Sequence, residues 1–367
     1  MGQEKPDLRD CLALWAVPGI GSMMSKRIIS YAGGIKELFN HKNADLQRIP
    51  GIGQVLADTI KREDYYRHAD EMLEFAAKYN ISILTWFDKN YPERLKVCED
   101  SPLVIFVKGQ PLDQQLKYLA IVGTRSATPR GQAFCHDLIC NLHNRYTDVC
   151  IVSGLAYGID VAAHKASVEF GLPTYGVLAH GLDTIYPTSH RNIAAEMVKN
   201  GGLVTEFFPK TVPDKTNFVR RNRIIAGLCD ATIVIESDIK GGSLITAELA
   251  NSYNREVFAL PGRPADKYSS GCNKLIKTNQ AHLIESLEDI EYVLGWNSQQ
   301  KVIQRSLFVE LDPESQKIYD TLQDGELSID EISRNTGMTM PKVSSLLLTM
   351  ELNGVVRGMP GKLYARQ

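Results

Sequence analysis

The chain has 367 residues, of which 44% are hydrophobic and 23% charged, a composition typical of a globular protein long enough for two or three domains. This composition excludes a largely disordered chain, a collagen and a coiled coil. The 41 Lys and Arg residues against 43 Asp and Glu give a formal net charge of -2, so any anion site must be a local concentration of cations.

No segment of the sequence predicts a membrane or secreted protein. No apolar run approaches the roughly 18 residues that a membrane span needs, and the start of the chain has no apolar core like that of a secretory signal. The seven cysteines are scattered and form no Cys-x-x-Cys pair, which predicts reduced thiols and no zinc ribbon. We therefore expect a cytoplasmic protein without membrane association.

Residues 1–78 are predicted to form a helical domain. The segments Val17–Gly21 and Ile49–Gly53 both read x-Pro-Gly-Ile-Gly, and a helical run follows each. Glycines in such turns leave N–H groups at a helix start free to bind phosphate oxygens. The two turns resemble those of helix-hairpin-helix (SAM-like) domains that contact DNA; the alternative is a pair of purely structural turns.

Residues 79–296 are predicted to form an α/β domain with a mostly parallel sheet, because short β-rich runs alternate with helical stretches. The predicted strands are Leu103–Val107, Tyr118–Val122, Val149–Val152, Thr174–Leu178, Leu203–Thr205, Ala231–Ile235 and Glu256–Ala259. The helical stretches include Gly131–Asn144, Asp160–Phe170, His190–Asn200 and Ser243–Asn254. Ligands of such sheets bind beyond the carboxyl ends of the strands.

A polar linker is predicted over residues 297–310, and residues 311–367 are predicted to form a winged-helix domain. Asp312 precedes a proline and is a plausible helix N-cap, and Ser328 with Glu331 makes a capping box before a second helix. A third helix and a small hairpin complete the segment. Three helices and a hairpin in so short a stretch are typical of a winged helix.

Glycine-containing turns follow two neighbouring predicted strands, and we interpret them as anion sites. One strand ends in Gly123, Thr124 and Arg125, and the next ends in Ser153 and Gly154 before a helix begins. Such turns direct backbone N–H groups and the positive end of a helix dipole at an anion. Any tight strand–helix junction can use one glycine, but two adjacent junctions with an arginine favour anion binding.

A third segment, residues 180–191, also follows a strand and can reach the same edge of the sheet. It carries Tyr186, His190 and Arg191. Its histidines lack the spacing of a helical zinc site and no carboxylate completes a ligand set, so we expect no metal here.

A run of three arginines in four positions begins a further predicted helix. The run is Arg220, Arg221, Asn222 and Arg223. A charge run on a helix is usually a solvated face, but this one contains no carboxylate, and guanidinium groups suit phosphate contacts and base stacking. We therefore expect these arginines near the cleft. A glycine-containing junction downstream adds Lys240, Ser243 and Thr246.

Six motifs occur in one order along residues 80–290. They are Gly123-Thr124-Arg125, Ser153-Gly154-x-Ala156-x-Gly158-Ile159-Asp160, Gly181-Leu182-Asp183-x-x-Tyr186-Pro187, Arg221-Asn222-Arg223-Ile224-Ile225-Ala226-Gly227-Leu228, Gly242-Ser243-Leu244-Ile245-Thr246-Ala247 and Pro261-Gly262. In this order they resemble the bacterial DNA-processing protein A family (DprA, also called Smf). The helical and winged-helix segments also resemble optional domains of that family.

The resemblance implies an α/β fold with an extended Rossmann-like, mostly parallel sheet between the two flanking domains. It also implies a non-enzymatic protein, without cofactor, that binds single-stranded DNA, protects incoming DNA, dimerises and loads the RecA recombinase during natural transformation. By motif, the strand-binding residues would be Gly123, Thr124, Arg125, Ser153, Gly154, Tyr186, His190, Arg191, Arg220, Arg221, Asn222, Arg223, Lys240, Ser243 and Thr246. Some family members carry a lysine after Tyr-Pro where this chain has Thr188.

Two other functions stay open from the residues alone. The first is a nucleotide-processing enzyme of the lysine-decarboxylase-like (phosphoribohydrolase) type, which carries a Gly-Gly-x-Gly-Thr-x-x-Glu loop. Gly241, Gly242 and Glu248 keep that spacing, but two apolar residues replace the inner Gly-Thr, and Glu248 would have to act as the general base. The second is a transcription regulator. Against it, the third predicted helix of the winged-helix segment, which would enter the major groove, carries only one cation, Lys342.

Overall fold

The computed structural model describes residues 6–31, 34–62, 64–296, 312–323, 325–352, 355–359 and 363–366. The predicted linker, residues 297–310, lies outside these ranges. The chain divides into two units, Met1–Ser298 and Gln299–Gln367. Along the described ranges, no helix is both long enough and apolar enough to cross a membrane.

Six helices open the first unit and bury their apolar faces together with the edge of a sheet. They are α1 (Leu8–Ala16), α2 (Ser22–Tyr31), α3 (Ile35–Asn40), α4 (Asn43–Leu46), α5 (Gln54–Arg62) and α6 (Tyr65–Tyr79). Their core continues without a break into Leu103, Val104 and Phe106, which are fully buried. The helical segment is therefore packed onto the sheet rather than tethered to it.

The two repeated turns pack as a pair, each against the helix that follows the other. A Cβ on Gly19 would lie 3.5 Å from Leu56 on α5, and one on Gly51 would lie 2.7 Å from Met24 on α2. Gly19 and Gly51 are 32 residues apart in the chain, and so are Met24 and Leu56. Both glycines have a positive φ, near 90°, which glycine adopts without steric cost.

A nine-stranded sheet forms the centre of the first unit, which confirms the predicted mostly parallel α/β fold. Its strands are β1 (Ile81–Thr85), β2 (Val104–Gly109), β3 (Lys117–Val122), β4 (Val149–Ser153), β5 (Thr174–Val177), β6 (Gly202–Thr205), β7 (Ala231–Val234), β8 (Glu256–Ala259) and β9 (His282–Leu283). The order is β1-β2-β6-β5-β4-β3-β7-β8-β9. In this spatial order, every pair of neighbouring strands from β6 through β3 to β9 is parallel. By contrast, β2 pairs antiparallel with β6, and β1 pairs antiparallel with β2.

Helices cover both faces of this sheet. They are α7 (Glu93–Lys96), α8 (Pro129–Arg145), α9 (Ile159–Phe170), α10 (Arg191–Asn200), α11 (Lys215–Leu228), α12 (Gly242–Ser252), α13 (Ser270–Lys277) and α14 (Leu287–Leu294). Along β4, Cys150 and Val152 face the core under α11 and α12, while Val149 and Ile151 face the core under α8 and α9. Burial on both faces explains why these strands read as continuous apolar runs.

The second unit has the predicted winged-helix elements. They are α15 (Pro313–Thr321), β10 (Leu327–Ser328), α16 (Ile329–Thr336), α17 (Met340–Leu352), β11 (Val356–Met359) and β12 (Leu363–Arg366). The Asp312 carboxylate accepts the N–H groups of Glu314 and Ser315, and Ser328 with Glu331 closes the predicted capping box. The hairpin strands β11 and β12 pair antiparallel, and β10 adds to β12.

Candidate nucleic-acid interface

The strand order reverses beside β3, and a cavity lies at that point. From β3 the chain proceeds through β4, β5 and β6 on one side and returns to β7 on the other. The cavity, of about 260 Å³, opens beyond the carboxyl ends of β3 and β7, where ligands of open α/β sheets bind. We call it the switch-point cavity. Its lining includes seven of the predicted strand-binding residues: Gly123, Thr124, Arg125, Arg221, Asn222, Ser243 and Thr246.

Arg125 is the exposed cation of the switch-point cavity. Its guanidinium carbon lies 5.1 Å from the ring centre of Phe218 on α11, within range of a cation–π contact. The residue is exposed, so the contact with the ring leaves part of the side chain accessible to a ligand. An arginine held in this way loses little further rotamer freedom when it binds a phosphate.

Arg221 lies at the base of the same cavity and is only 4% exposed. Its Nη1 donates to the Val177 carbonyl oxygen at 2.6 Å, while its Nε has no hydrogen-bond partner among the described residues. Burial lowers the pKa of Arg221 to about 10, and the nearby Asp160 carboxyl acts in the opposite direction. A guanidinium group at a cavity wall, held in place by the Val177 carbonyl, is suited to an anion.

Asp160 supplies the negative charge beneath Arg221. It is on the first turn of α9 and its Oδ2 accepts the Gly154 N–H at 3.2 Å. Burial raises the pKa of the Asp160 carboxyl, whereas Arg221 and backbone N–H groups oppose that shift. Gly154 fits between them because it has no side chain: a Cβ there would lie 2.0 Å from Arg221 Nη1.

The start of α12 forms the opposite wall of the switch-point cavity. Its N-cap, Gly241, provides no side-chain acceptor, so the N–H groups of the first turn are not capped by a side chain. Ser243 donates its hydroxyl to Ser237 at 2.8 Å, across the end of β7. Lys240 is exposed just before this turn. The helix start therefore adds partial positive charge and N–H donors to the two arginines.

Exposed aromatic rings extend from the rim of the cavity. The Tyr186 ring is 45% exposed and its centre lies 5.9 Å from that of Phe218. Tyr157 is 49% exposed, stacks edge-on against His190 at 4.9 Å, and its hydroxyl accepts from Ser189 at 3.2 Å. Tyr157 was not among the predicted contact residues, although it stands within the Ser153–Asp160 motif. Such rings offer stacking surfaces to unpaired bases.

Two predicted contact residues use their polar atoms inside the protein. Ser153 is fully buried and its hydroxyl donates to the Ile121 carbonyl at 2.5 Å. His190 is 7% exposed, and its Nδ1 lies 2.8 Å from the Leu155 carbonyl oxygen, which can only accept. The structure thus corrects their expected accessibility, because both side chains close the backbone turns on which the exposed residues stand.

The arginine run does not act as one patch, which corrects the expected placement of Arg220 and Arg223. Arg223 Nη2 donates to Glu206 Oε2 at 2.5 Å and its Nη1 to the Asp100 carbonyl. Arg220 Nη2 lies 3.3 Å from the same Glu206 oxygen. Successive residues of a helix are about 100° apart, so neighbours in the run point in different directions. Only Arg221 and Asn222 of the run line the switch-point cavity.

A lysine on α2, beside the first repeated turn, joins the helical domain to the sheet. Lys26 Nζ donates to the Glu99 carbonyl at 2.9 Å and to Ser101 Oγ at 2.7 Å, and burial lowers its pKa. Together with the Trp15 indole, which donates to the Glu206 carbonyl at 2.8 Å, it attaches the helices to the sheet. Its role in the structure is therefore to hold two segments together.

The residue that a nucleotide-processing enzyme would need lies elsewhere. Glu248 is exposed on α12 and is not part of the switch-point cavity lining. Within the described ranges, no group of three or more His, Cys, Asp or Glu side chains could hold a metal ion.

His164 supports a prediction about pH. It is fully buried on α9, its Nδ1 lies 2.7 Å from Thr174 Oγ1, and burial lowers its pKa to about 3. Because this folded-state pKa lies below the unfolded value, neutral His164 contributes stability above about pH 6.5 that is lost as the pH falls. We expect a loss of about 2 kcal/mol at about pH 5, measured as the free energy of urea unfolding.

The matched control for this prediction is an exposed histidine. His143→Gln, at an exposed position on α8, should follow the wild-type pH dependence, whereas His164→Gln should flatten it. Equal slopes in wild type and His164→Gln would contradict the assignment.

Comparison with known proteins places both units in one family. Residues 82–295 match the model of DNA recombination-mediator protein A, and residues 309–362 match that of the DprA winged helix domain. Protein Smf of Synechocystis sp. is 30% identical and covers 97% of this chain and 98% of its own length. DNA processing protein DprA of Bacillus subtilis is 39% identical over 65% of this chain and 80% of its own.

Two solved structures share the fold. DNA processing protein A from Streptococcus pneumoniae superposes with a TM-score of 0.68 and 29% identity, covering 78% of this chain and 98% of that one. The Helicobacter pylori protein of the same name superposes with a TM-score of 0.54 and 29% identity, covering 60% of this chain and 98% of that one. The six ordered motifs, the switch-point cavity and these matches agree, and the chain belongs to the family of DNA recombination-mediator protein A, also named DNA processing protein A.

Proposed function

We propose that the switch-point cavity binds single-stranded DNA through its phosphates. The observation that carries this proposal is the convergence of exposed Arg125, the guanidinium of Arg221 and the uncapped start of α12 on one cavity. The related Helicobacter pylori protein is described by its single-stranded DNA binding mode, which supports the same ligand here.

The chemistry of the site favours an unpaired strand over a duplex. Phosphate contacts alone do not distinguish the two, but Tyr186 and Tyr157 present ring faces beside the cations. Bases can stack on such rings only when they are free of a partner strand. Since backbone phosphates and ring faces are common to all nucleotides, binding by this surface is independent of sequence.

At the level of the cell, we propose a recombination mediator without catalytic activity. It would protect incoming single strands and load the RecA recombinase on them during natural transformation, acting as a homodimer in the cytoplasm. Family membership supports the mediator role, and the placement of Glu248 outside the cavity removes the residue on which the enzymatic alternative depends.

Arg125→Ala tests the site directly. We expect the Kd for a single-stranded oligonucleotide to rise about tenfold, because one charge-assisted phosphate contact is lost. The slope of log Kd against log salt should fall in magnitude by about 0.7. Fluorescence anisotropy over a salt series measures both quantities.

The control is Arg67→Ala, which removes an equal charge from an exposed position on α6. It should bind as wild type. Wild-type affinity in Arg125→Ala, or a wild-type protein whose binding does not change with salt, would reject the proposed site.

A further inference from the structure

A second cavity lies on the other side of α11, where the six opening helices meet the α/β part of the first unit. Its volume is about 710 Å³. Its walls are the first x-Pro-Gly-Ile-Gly turn with Arg27 of α2 on one side and Arg220, Arg223 and Asp100 on the other. We call it the domain-junction cavity. Three arginines that do not line the switch-point cavity, Arg27, Arg220 and Arg223, therefore line this one.

The charges around this cavity do not balance internally. Glu206 is fully buried and offers one negative charge to both Arg220 and Arg223. Arg223 takes the short contact of 2.5 Å, so Arg220, at 3.3 Å, is only partly neutralised. Arg27 adds a further positive charge, and Asp100 is the one carboxylate among the described lining residues. One net positive charge remains from these five groups.

Arg220 is also held ready for a ligand. Its guanidinium carbon lies 5.2 Å from the ring centre of Phe207, and Glu206 fixes one of its nitrogens. The side chain is nevertheless 45% exposed, so its remaining N–H groups face solvent. A cation that is anchored on one side and open on the other suits a phosphate oxygen better than a mobile lysine would.

The opposite wall supplies backbone donors. Gly21 is exposed, and a Cβ there would meet nothing within 4 Å, so the turn is open toward the cavity side. Among the hydrogen bonds of the described chain, none occupies the N–H groups of Ser22, Met23 or Met24 at the start of α2. The first turn of α2 contains no acidic residue that could neutralise them.

We propose that the domain-junction cavity binds a second phosphate group of the same polynucleotide, so that the helical domain and the sheet hold one strand together. This inference rests on the proposed function of the switch-point cavity. The two cavities flank α11, which presents Asn222 to the first and Arg220 to the second. A strand that leaves the switch-point cavity over the exposed Val219 side chain reaches Arg220 next.

The test compares two oligonucleotide lengths on the full chain. An oligonucleotide of about 16 nucleotides can occupy both cavities, whereas one of about 4 nucleotides fills only the switch-point cavity. For Arg220→Ala we expect about fivefold weaker binding of the long oligonucleotide with a salt slope lower by about 0.7, and unchanged binding of the short one. Arg27→Gln, from the other wall, should show the same dependence on length.

Two outcomes would overturn this proposal. One is wild-type affinity of either variant for the long oligonucleotide. The other is an equal loss of affinity on both lengths with an unchanged salt slope. Arg67→Ala is the matched charge control. If Arg125→Ala weakens binding while Arg220→Ala does not, the second site fails and the proposed function stands; if the wild type binds neither length, the proposed function itself fails.

Discussion

Replacing Asp160 by alanine is expected to lower the free energy of unfolding by about 3 kcal/mol. The substitution removes the acceptor of the Gly154 N–H and leaves Arg221 buried without its nearby negative charge. An uncompensated buried charge is among the costly defects that a single substitution can make. Urea unfolding of the wild type and the variant measures the difference.

A double variant separates the structural role of this charge pair from strand binding. Asp160→Ala combined with Arg221→Met replaces both charges by apolar groups, so it should recover much of the lost stability. It should not recover strand binding, because Arg221 supplies a donor to the switch-point cavity. A double variant as unstable as Asp160→Ala alone would show that the two groups do not depend on each other.

Gly154→Ala is expected to damage both the stability of the protein and the site. The new Cβ would lie 2.0 Å from Arg221 Nη1 and 2.5 Å from its Cζ, and the guanidinium cannot turn away because it is buried and bound to the Val177 carbonyl. We expect a loss of about 1–3 kcal/mol in stability. Binding of single-stranded DNA should fall more than tenfold, since the displaced group lines the cavity.

The same substitution elsewhere in the cavity provides the control. A Cβ on Gly242 would meet nothing within 4 Å, and this glycine lies on the first turn of α12 in an ordinary helical conformation. Gly242→Ala should therefore keep the wild-type Tm, in contrast to Gly154→Ala. If both variants behave alike, the close approach of Gly154 to Arg221 is not what the site depends on.

The sheet could be predicted from the sequence because burial on both faces leaves a strong local signal. The seven predicted strands correspond to β2 through β8, with ends that differ by at most two residues. Two strands were missed. The outer strand β1 is partly exposed and follows directly on α6, and β9 has only two residues, so neither stands out as an apolar run.

Gly123–Arg125 lie close to Ser243 and Thr246 at one cavity. This proximity could be predicted from the sequence, because the carboxyl ends of parallel strands lie at one edge of the sheet. The direction of each arginine in the run could not be predicted in the same way. The buried face of α11 includes Arg221 together with Asn217, Ile224 and Leu228, at spacings of four, three and four. This helical period could have indicated that Arg221 points inward.

The acid that pairs with Arg223 could not be found by any local rule. Glu206 follows β6, 17 residues earlier in the chain, and reaches the arginine only because β6 and α11 are packed in three dimensions. The run itself contains no carboxylate, so its own composition gives no sign of this ion pair. Internal neutralisation by a distant residue is a tertiary effect.

The shared core of the opening helices and β2 has a practical consequence for dissecting the protein. Leu103, Val104 and Phe106 are covered by those helices. A fragment cut at residue 79 would expose these side chains to water at a cost of about 1.5–3 kcal/mol for each, and would also remove one wall beside Arg220. Point substitutions on the intact polypeptide, rather than truncations, are the means of assigning separate tasks to its parts.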